Sequence, residues 1–390
     1  MKITLVGTGD LTLRAKSAIE SAELLIGAQR VLDTLDAKAQ KRPAVRTDDI
    51  INVIKSAGCE RVCVVFSGDT GFYSGAASLL TALSREGLSA ELIPGISSVQ
   101  LMAATLKSAW QDWQLVSAHG RDCDAVDAVC GGRKTLFLTS GAKGVAALCE
   151  ELCRAGLGKL SVTVGENLGT ESERIYAGTA EEFSAREFAP LNVMLCAPAP
   201  LWCERTPGIP DAEFIRAEIP MTKQEVRAAA LSKLAVRKTD VCWDVGAGTG
   251  SVSVELALCA KRVYAVEEKA AACALIRENR EKFRAWRMEL VEGRAPEALE
   301  ALPAPDAVFI GGSGGELDAI IALALKKNPD ARICVSAIAI ETLSAAVKIM
   351  TERGLTPEVT QISVSRTKSA GSLRLLMAQN PVFLITGSRE

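Results

Sequence analysis

The sequence predicts two α/β domains in tandem, the second a doubly wound, Rossmann-like sheet, and three observations lead there. The chain has 390 residues, more than one hydrophobic core usually serves. Apolar runs of strand length alternate with helical patterns almost from end to end. A Pro-rich stretch, APAPLWCERTPGIPD from Ala197 to Asp211, interrupts the alternation and predicts a boundary between residues 1–205 and residues 206–390.

Composition suits two ordinary globular cores, with 48% hydrophobic residues, 24% charged residues and a net charge of -2. Such a balance offers no field for nucleic acid, so an acidic ligand has to be held by individually placed Arg and Lys. Aromatic residues make up only 4% of the chain, too few for a face that stacks bases. The twelve cysteines include no C-x-x-C pair, and the lone histidine, His119, cannot complete a Cys/His site, so reduced thiols and no metal are expected. MKITLVGTGD enters a strand directly, and no run of about 18 apolar residues follows. A cytoplasmic protein with no membrane partner is the expectation.

In chain order, the first region has strand candidates at Ile3–Gly7, Glu23–Gly27, Val62–Gly68, Ala90–Gly95, Trp113–Gly120, Thr135–Ser140, Ser161–Gly169 and Leu191–Pro198. Helical stretches between many of them, as around Ala76–Glu86 and Gly144–Ala155, predict parallel sheets. The second region opens with MTKQEVRAAALSKL, where Thr222 and Glu225 have the spacing of a capping box. The strands VCWDVG, VYAVEE, MELVEG, PDAVFIGG and RICVSAI then alternate with helices, and PEVTQISV and PVFLITG predict a closing antiparallel pair.

The sharpest chemical signal is DVGAGTG, Asp244 to Gly250, set between a strand and a helix. Gly246, Gly248 and Gly250, with Ala247 among them, permit a tight turn that brings backbone N–H groups to a ligand. About twenty residues on, Glu267 ends the next strand, where doubly wound folds place a carboxylate on ribose hydroxyls. The glycines are out of step with the dinucleotide pattern G-x-G-x-x-G, and Asp244 suits a cationic ligand better than a pyrophosphate. The reading is S-adenosylmethionine; a nicotinamide or flavin nucleotide and a structural Gly-rich turn are the alternatives. The turn at Gly293, Arg294 and Ala295 is placed beside the adenine, and Gly311 and Gly312 either turn the chain or leave room for a planar substrate.

The first region is punctuated differently, by VGTGD (Val6–Asp10), SGDTGFYSG (Ser67–Gly75), IPGISSVQ (Ile93–Gln100) and SAHGR (Ser117–Arg121), each at a strand end. In this order these segments resemble the tetrapyrrole methyltransferases, which bind S-adenosylmethionine between two α/β lobes in a class III methyltransferase fold. PGISSVQ, HGR and ENLG with ER between Glu166 and Arg174 resemble its CbiE-type branch. MTKQEVR, DVGAGTGSVSVE, NREKF and PDAVFIGG resemble the CbiT-type enzymes of the class I fold. Two departures stand out: the chain passes directly from Gly9 and Asp10 into LTLRA without the family's longer glycine run, and Thr70 stands where proline is usual. The first leaves the roles of Gly7, Gly9 and Asp10 open.

The resemblance implies two S-adenosylmethionine-dependent modules acting on a precorrin of cobalamin synthesis. It implies C-5 methylation by the first, C-15 methylation with loss of the C-12 acetate carboxyl by the second, and S-adenosylhomocysteine as product. It places Asp69, Gly71, Phe72, Ser97 and Ser98 at the first cofactor pocket, with a helix cap as the other reading of the serines. In the second pocket Thr222 joins the glycine-loop residues. His119, Arg121, Lys223, Arg227 and Arg366 are the candidates for facing a polycarboxylate substrate, the cations by bidentate hydrogen bonds. The donor methyl is already activated and the macrocycle carbon is the nucleophile, so alignment and exclusion of water are required rather than a catalytic triad. A homo-oligomer is expected on the resemblance alone. Competing readings are a nucleic-acid methyltransferase with an accessory domain, and a chain in which one module is a catalytically dead assembly domain.

Overall fold

A computed structural model describes residues 1–119, 123–139, 144–201 and 206–389. The chain forms two compact units, one comprising Met1–Cys123, Arg133–Ala147 and Ser161–Ala197, the other Asp124–Gly132, Leu148–Leu160 and Pro198–Glu390. The elements begin with β1 (Lys2–Gly7), α1 (Leu13–Ser21), β2 (Leu24–Gly27), α2 (Gln29–Asp33), β3 (Gln40–Pro43), α3 (Thr47–Ser56), β4 (Arg61–Phe66), α4 (Ala76–Arg85), β5 (Ala90–Ile93) and α5 (Ser98–Thr105). They continue through β6 (Gln114–Ser117), α6 (Ala125–Val129), β7 (Thr135–Leu138), α7 (Val145–Arg154), β8 (Ser161–Glu166), β9 (Arg174–Thr179), α8 (Ala180–Ser184) and β10 (Asn192–Cys196).

In the first unit, one sheet has the order β3-β2-β4-β1-β5, and every neighbouring pair is parallel. Its central strands are apolar runs because helices cover both faces; Leu5 and Val64 have no exposed surface. The edge strand β3, QKRP, is exposed along its length, which is why no apolar pattern announces it. A second sheet, β6-β7-β10-β8-β9, corrects the expectation of parallel sheets throughout. Only β6–β7 is parallel, whereas β7–β10, β10–β8 and β8–β9 are antiparallel. The physical reason is the short turn between β8 and β9, which leaves no room for a crossover helix and folds the chain back as a hairpin.

In the second unit the chain runs α9 (Gln224–Leu234), β11 (Val241–Val245), α10 (Ser251–Cys259), β12 (Arg262–Glu267), α11 (Ala270–Lys282), β13 (Met288–Glu292), β14 (Ala307–Ile310), α12 (Leu317–Lys327), β15 (Arg332–Ala337), α13 (Ile340–Glu352), β16 (Thr356–Ile362), β17 (Ser365–Ala370), β18 (Leu373–Ala378) and β19 (Val382–Ser388). The sheet order is β13-β12-β11-β14-β15-β19-β16, parallel from β13 to β15 and antiparallel around β19, as the alternation predicts. Successive residues of β11 point to opposite faces: Cys242 packs in the core with Val254, Ile276 and Phe309, and Trp243 in the one with Ile320, Ile321 and Met350. The order reverses beside β11, so the topological switch point falls where the glycine loop begins. A separate two-stranded sheet, β17–β18, arises from the SRTKSAGSLRLLMA segment, where no strand was expected.

The capping box expected at Thr222 and Glu225 does not form. Lys223 is the N-cap of α9 and makes no side-chain capping bond. Glu225 is drawn away by Arg366, whose Nη2 lies 2.6 Å from its Oε2, and the Thr222 carbonyl accepts from Arg227.

Candidate active site

Each unit carries a cleft at the carboxyl ends of its parallel strands. In the second unit a cleft of about 480 Å³ is lined by Thr222, Lys223, Gly246, Ala247, Gly248, Glu267, Gly293, Arg294, Ala295, Gly311 and Gly312 among the residues singled out from sequence. They come from five segments distant in sequence, and the switch point brings them together.

Two of the glycines are required by the fold itself. Gly246 has φ +70°, and a Cβ there would lie 2.5 Å from the Gly312 carbonyl oxygen and 2.7 Å from its nitrogen. A Cβ at Gly250 (φ +75°) would meet Ile276 at 3.1 Å. Four loop N–H groups are already donated: Gly246 and Ala247 to the Val266 carbonyl, Gly248 to Glu267 Oε2 at 2.9 Å, and Gly250 to the Ala247 carbonyl. A pyrophosphate held by such a loop needs those donors free, so the donor set fits a nucleoside without phosphates. Glu267, only 8% exposed, also accepts from the N–H groups of Glu268 and Lys269 through Oε1. The carboxylate is thereby fixed at the tip of β12 beside the cleft.

Asp244 and Gly250 do not line the cleft. Asp244 is buried beneath the loop, where Oδ2 accepts from the Ser253 hydroxyl and Oδ1 has no partner. Burial pushes its carboxyl up to about 7, against the hydrogen bonds from Ser253 and with a smaller contribution from the Glu267 charge. Arg227, expected to clamp the substrate, has no exposed surface at all. Its guanidinium pairs with Glu255 at 2.9 Å and Asp211 at 2.8 Å and donates to the Ile209 and Thr222 carbonyls. Its role is thus corrected: two buried carboxylates and two carbonyls use its donors, and it ties the Ile219–Lys223 wall of the cleft to α10. Arg366 lies outside the lining too, ion-paired with Asp211 and Glu225.

In the first unit a cleft of about 740 Å³ is lined by Asp69, Phe72, Ser97, Ser98 and His119 among the expected residues. Arg121 lies outside the described residues. At the cleft floor a Cβ on Gly95 would lie 2.3 Å from the Gly68 carbonyl oxygen and 2.7 Å from the Gly7 carbonyl carbon. Three strand-end loops therefore touch backbone to backbone. Asp69 fastens two of them, accepting from the Gly71 N–H of its own loop at 2.6 Å and from the Gly95 N–H at 3.2 Å. Gly71 itself is not among the lining residues. Ser97 forms a capping box with Gln100 at the start of α5 and also lines the cleft. Thr70, buried at 4% exposure, leaves Asp69 its two backbone bonds, and Gly9 and Asp10 join the lining.

Other lining residues escaped the sequence reading. In the first cleft they include Thr8, Arg30, Tyr73, Leu101, Thr139 and Asn192, and in the second Ile219, Pro220, Lys269, Ser313, Ser336 and Ile338. Thr8, Thr139 and Ile338 directly follow a strand, and for these that position was the available signal. Among the described residues no group of His, Cys, Asp and Glu is placed to hold a metal, and no helix is long and apolar enough to cross a membrane.

Residues 2–184 match the family described as Tetrapyrrole (Corrin/Porphyrin) Methylases, and residues 213–388 match the Precorrin methyltransferase domain. A precorrin-6Y C(5,15)-methyltransferase (decarboxylating) from a Sinorhizobium species is 35% identical over 335 residues, covering 80% of this chain and 79% of that protein. This chain belongs to that family. It is a decarboxylating methyltransferase of cobalamin biosynthesis, and the nucleic-acid alternative is not favoured. A probable cobalt-precorrin-6B C(15)-methyltransferase (decarboxylating) from Pyrobaculum calidifontis is 50% identical over 190 residues, 47% of this chain and 97% of that protein. A crystal structure of a precorrin-6y C5,15-methyltransferase from Geobacter metallireducens GS-15 is 41% identical, covering 47% of this chain and 96% of that one at a TM-score of 0.45.

Proposed function

We propose that both clefts take S-adenosylmethionine, that residues 1–205 methylate C-5 of a precorrin, and that residues 206–390 methylate C-15 and release CO2 from the C-12 acetate. The observation that carries the division is the relative of 190 matched residues, a C(15) decarboxylating enzyme that corresponds to about half of this chain. The donor set of the second glycine loop supports the cofactor reading, because its committed N–H groups suit a nucleoside without phosphate.

When bound, S-adenosylmethionine supplies a methyl group activated by its sulfonium. In the second cleft Glu267, immobilised by three N–H donors, is positioned to accept ribose hydroxyls, and Gly293 to Ala295 form the adenine side. Lys223, Lys269 and Arg294 face the same cleft and supply the cationic groups that a polycarboxylate needs. In the first cleft Asp10 and Asp69 place negative charge on the side expected to receive the sulfonium and its amino group. The residues' work is alignment and exclusion of water, because the reacting electrons belong to the macrocycle.

Incubating the purified chain with precorrin-6Y and S-adenosylmethionine tests this reading. The product mass should rise by two methyl groups and fall by one CO2. One methyl without CO2 loss would leave the second module without its assigned role.

A further inference from the structure

We propose that Arg30 holds a peripheral carboxylate of the tetrapyrrole in the N-terminal cleft and thereby fixes which edge of the macrocycle meets the methyl donor. This rests on the reading that the cleft takes both donor and precorrin.

Arg30 is the one Arg or Lys among the described residues that line this cleft. Its position is set by α2, a short helix anchored by the buried Val31 and Leu32, which leaves the guanidinium exposed at the cleft wall. Among the described residues it makes no ion pair or hydrogen bond through its side chain. By contrast, Arg14 and Arg61 of the same unit are held by Glu91 and Glu23, each at 2.6 Å. Thr34, one helical turn further on, also lines the cleft, but its hydroxyl is spent on the Val31 carbonyl at 2.8 Å. The free guanidinium is therefore the group on this wall that can bind an anion.

Sheet order places it at the right end of the cleft. Asp10 follows β1, Asp69 follows β4, and Ser97 and Ser98 follow β5, whereas Arg30 follows β2. In the order β3-β2-β4-β1-β5, β2 lies two strands from β1 and three from β5, roughly 10 to 14 Å at normal strand spacing. Asp69, although it follows the neighbouring β4, accepts from the Gly95 N–H after β5, so the cleft has an acidic end toward β1 and β5 and a cationic one at β2. A flat macrocycle with acid side chains at its rim can span that distance, with a reacting carbon at the acidic end and a carboxylate on the guanidinium. The planar fork suits bidentate carboxylate binding better than an ammonium would.

The test uses the full chain and three readouts: mass-resolved C-5 methylation, C-15 methylation with CO2 release, and calorimetric binding of S-adenosylhomocysteine. Arg30→Ala should raise KM for the tetrapyrrole in C-5 methylation by roughly 10- to 100-fold, the loss of one charge-assisted pair. Nucleotide affinity and the C-15 reaction should stay within about two-fold, and Arg30→Lys should recover only part of the loss. An unchanged KM while nucleotide still binds the N-terminal cleft would overturn the role of Arg30 alone. Equal weakening of tetrapyrrole and nucleotide would also overturn it. A wild-type chain that binds no nucleotide in that cleft would instead overturn the functional reading beneath it.

Discussion

The two clefts solve one problem with different backbone devices. In the N-terminal unit three strand ends are pressed together at Gly7, Gly68 and Gly95, and the Asp69 carboxylate fastens the second to the third. In the C-terminal unit one loop is pressed against the end of β14 at Gly246 and Gly312, and the Glu267 carboxylate fastens it. In both, a carboxylate at a strand tip accepts backbone N–H groups and holds open a cleft. The clefts differ in charge: among described lining residues the first has Arg30 alone against Asp10 and Asp69, whereas the second has Lys223, Lys269 and Arg294 against Glu267 and Glu268. The difference teaches that glycine content alone does not define a ligand; what the loop N–H groups already bind decides it.

Substitutions at the two backbone contacts should break the comparison most strongly. Gly246→Ala forces a Cβ to 2.5 Å from the Gly312 carbonyl oxygen, a strain of roughly 3 kcal/mol or more. C-15 methylation and CO2 release should fall at least about 100-fold while C-5 methylation persists. Gly95→Ala should give the mirror result, and product masses distinguish the two. If either change silenced both reactions, the clefts would not be independent.

Arg227→Met should come next, because it strands Glu255 and Asp211 without their buried partner. Removing one member of such a network costs about 3–5 kcal/mol, so the melting transition of the C-terminal unit should drop by on the order of 10 °C. An unchanged transition would show that the network does not hold the cleft wall.

A smaller, pH-dependent difference belongs to Asp244, raised by burial from 3.8 to about 7. Below about pH 4 the carboxyl is protonated in both folded and unfolded chains, and its stabilising effect is complete. As pH rises toward 7 the unfolded carboxyl ionises first, so stability declines. Thermal melts of Asp244→Asn should lack that slope between pH 4 and 7; a slope matching wild type would remove Asp244 from the account. The least effect is expected from Arg366→Ala, which breaks partly exposed pairs with Asp211 and Glu225. Pairs of this kind contribute at most about 1 kcal/mol, and a larger loss by chemical denaturation would give Arg366 a structural weight not assigned to it.

Much of this was legible in sequence where one side-chain pattern maps to one environment. Strands buried on both faces, such as β1 and β4, appear as unbroken apolar runs, and DVGAGTG marks a strand-to-helix turn by itself. Edge strand β3 and the β17–β18 hairpin were not legible, because exposed strands need no apolar pattern. The antiparallel second sheet was hidden because the turn between β8 and β9 resembles any polar connection. Site residues were readable at strand ends, where position gives them away. Arg227 was not: a basic residue beside a cleft motif reads as a ligand clamp until its partners Asp211 and Glu255, 16 residues before it and 28 after, are seen around it. Arg30 erred the other way, on a helix of five residues with no glycine motif to single it out.

The measurement that bears most directly on the central claim is a calorimetric titration of the full chain with S-adenosylhomocysteine, repeated on Gly95→Ala, on Gly246→Ala and on the double variant. Two sites per chain, falling to one in each single variant and to none in the double, is the predicted result. One site in the wild-type chain, or loss of both sites from a single substitution, would contradict it.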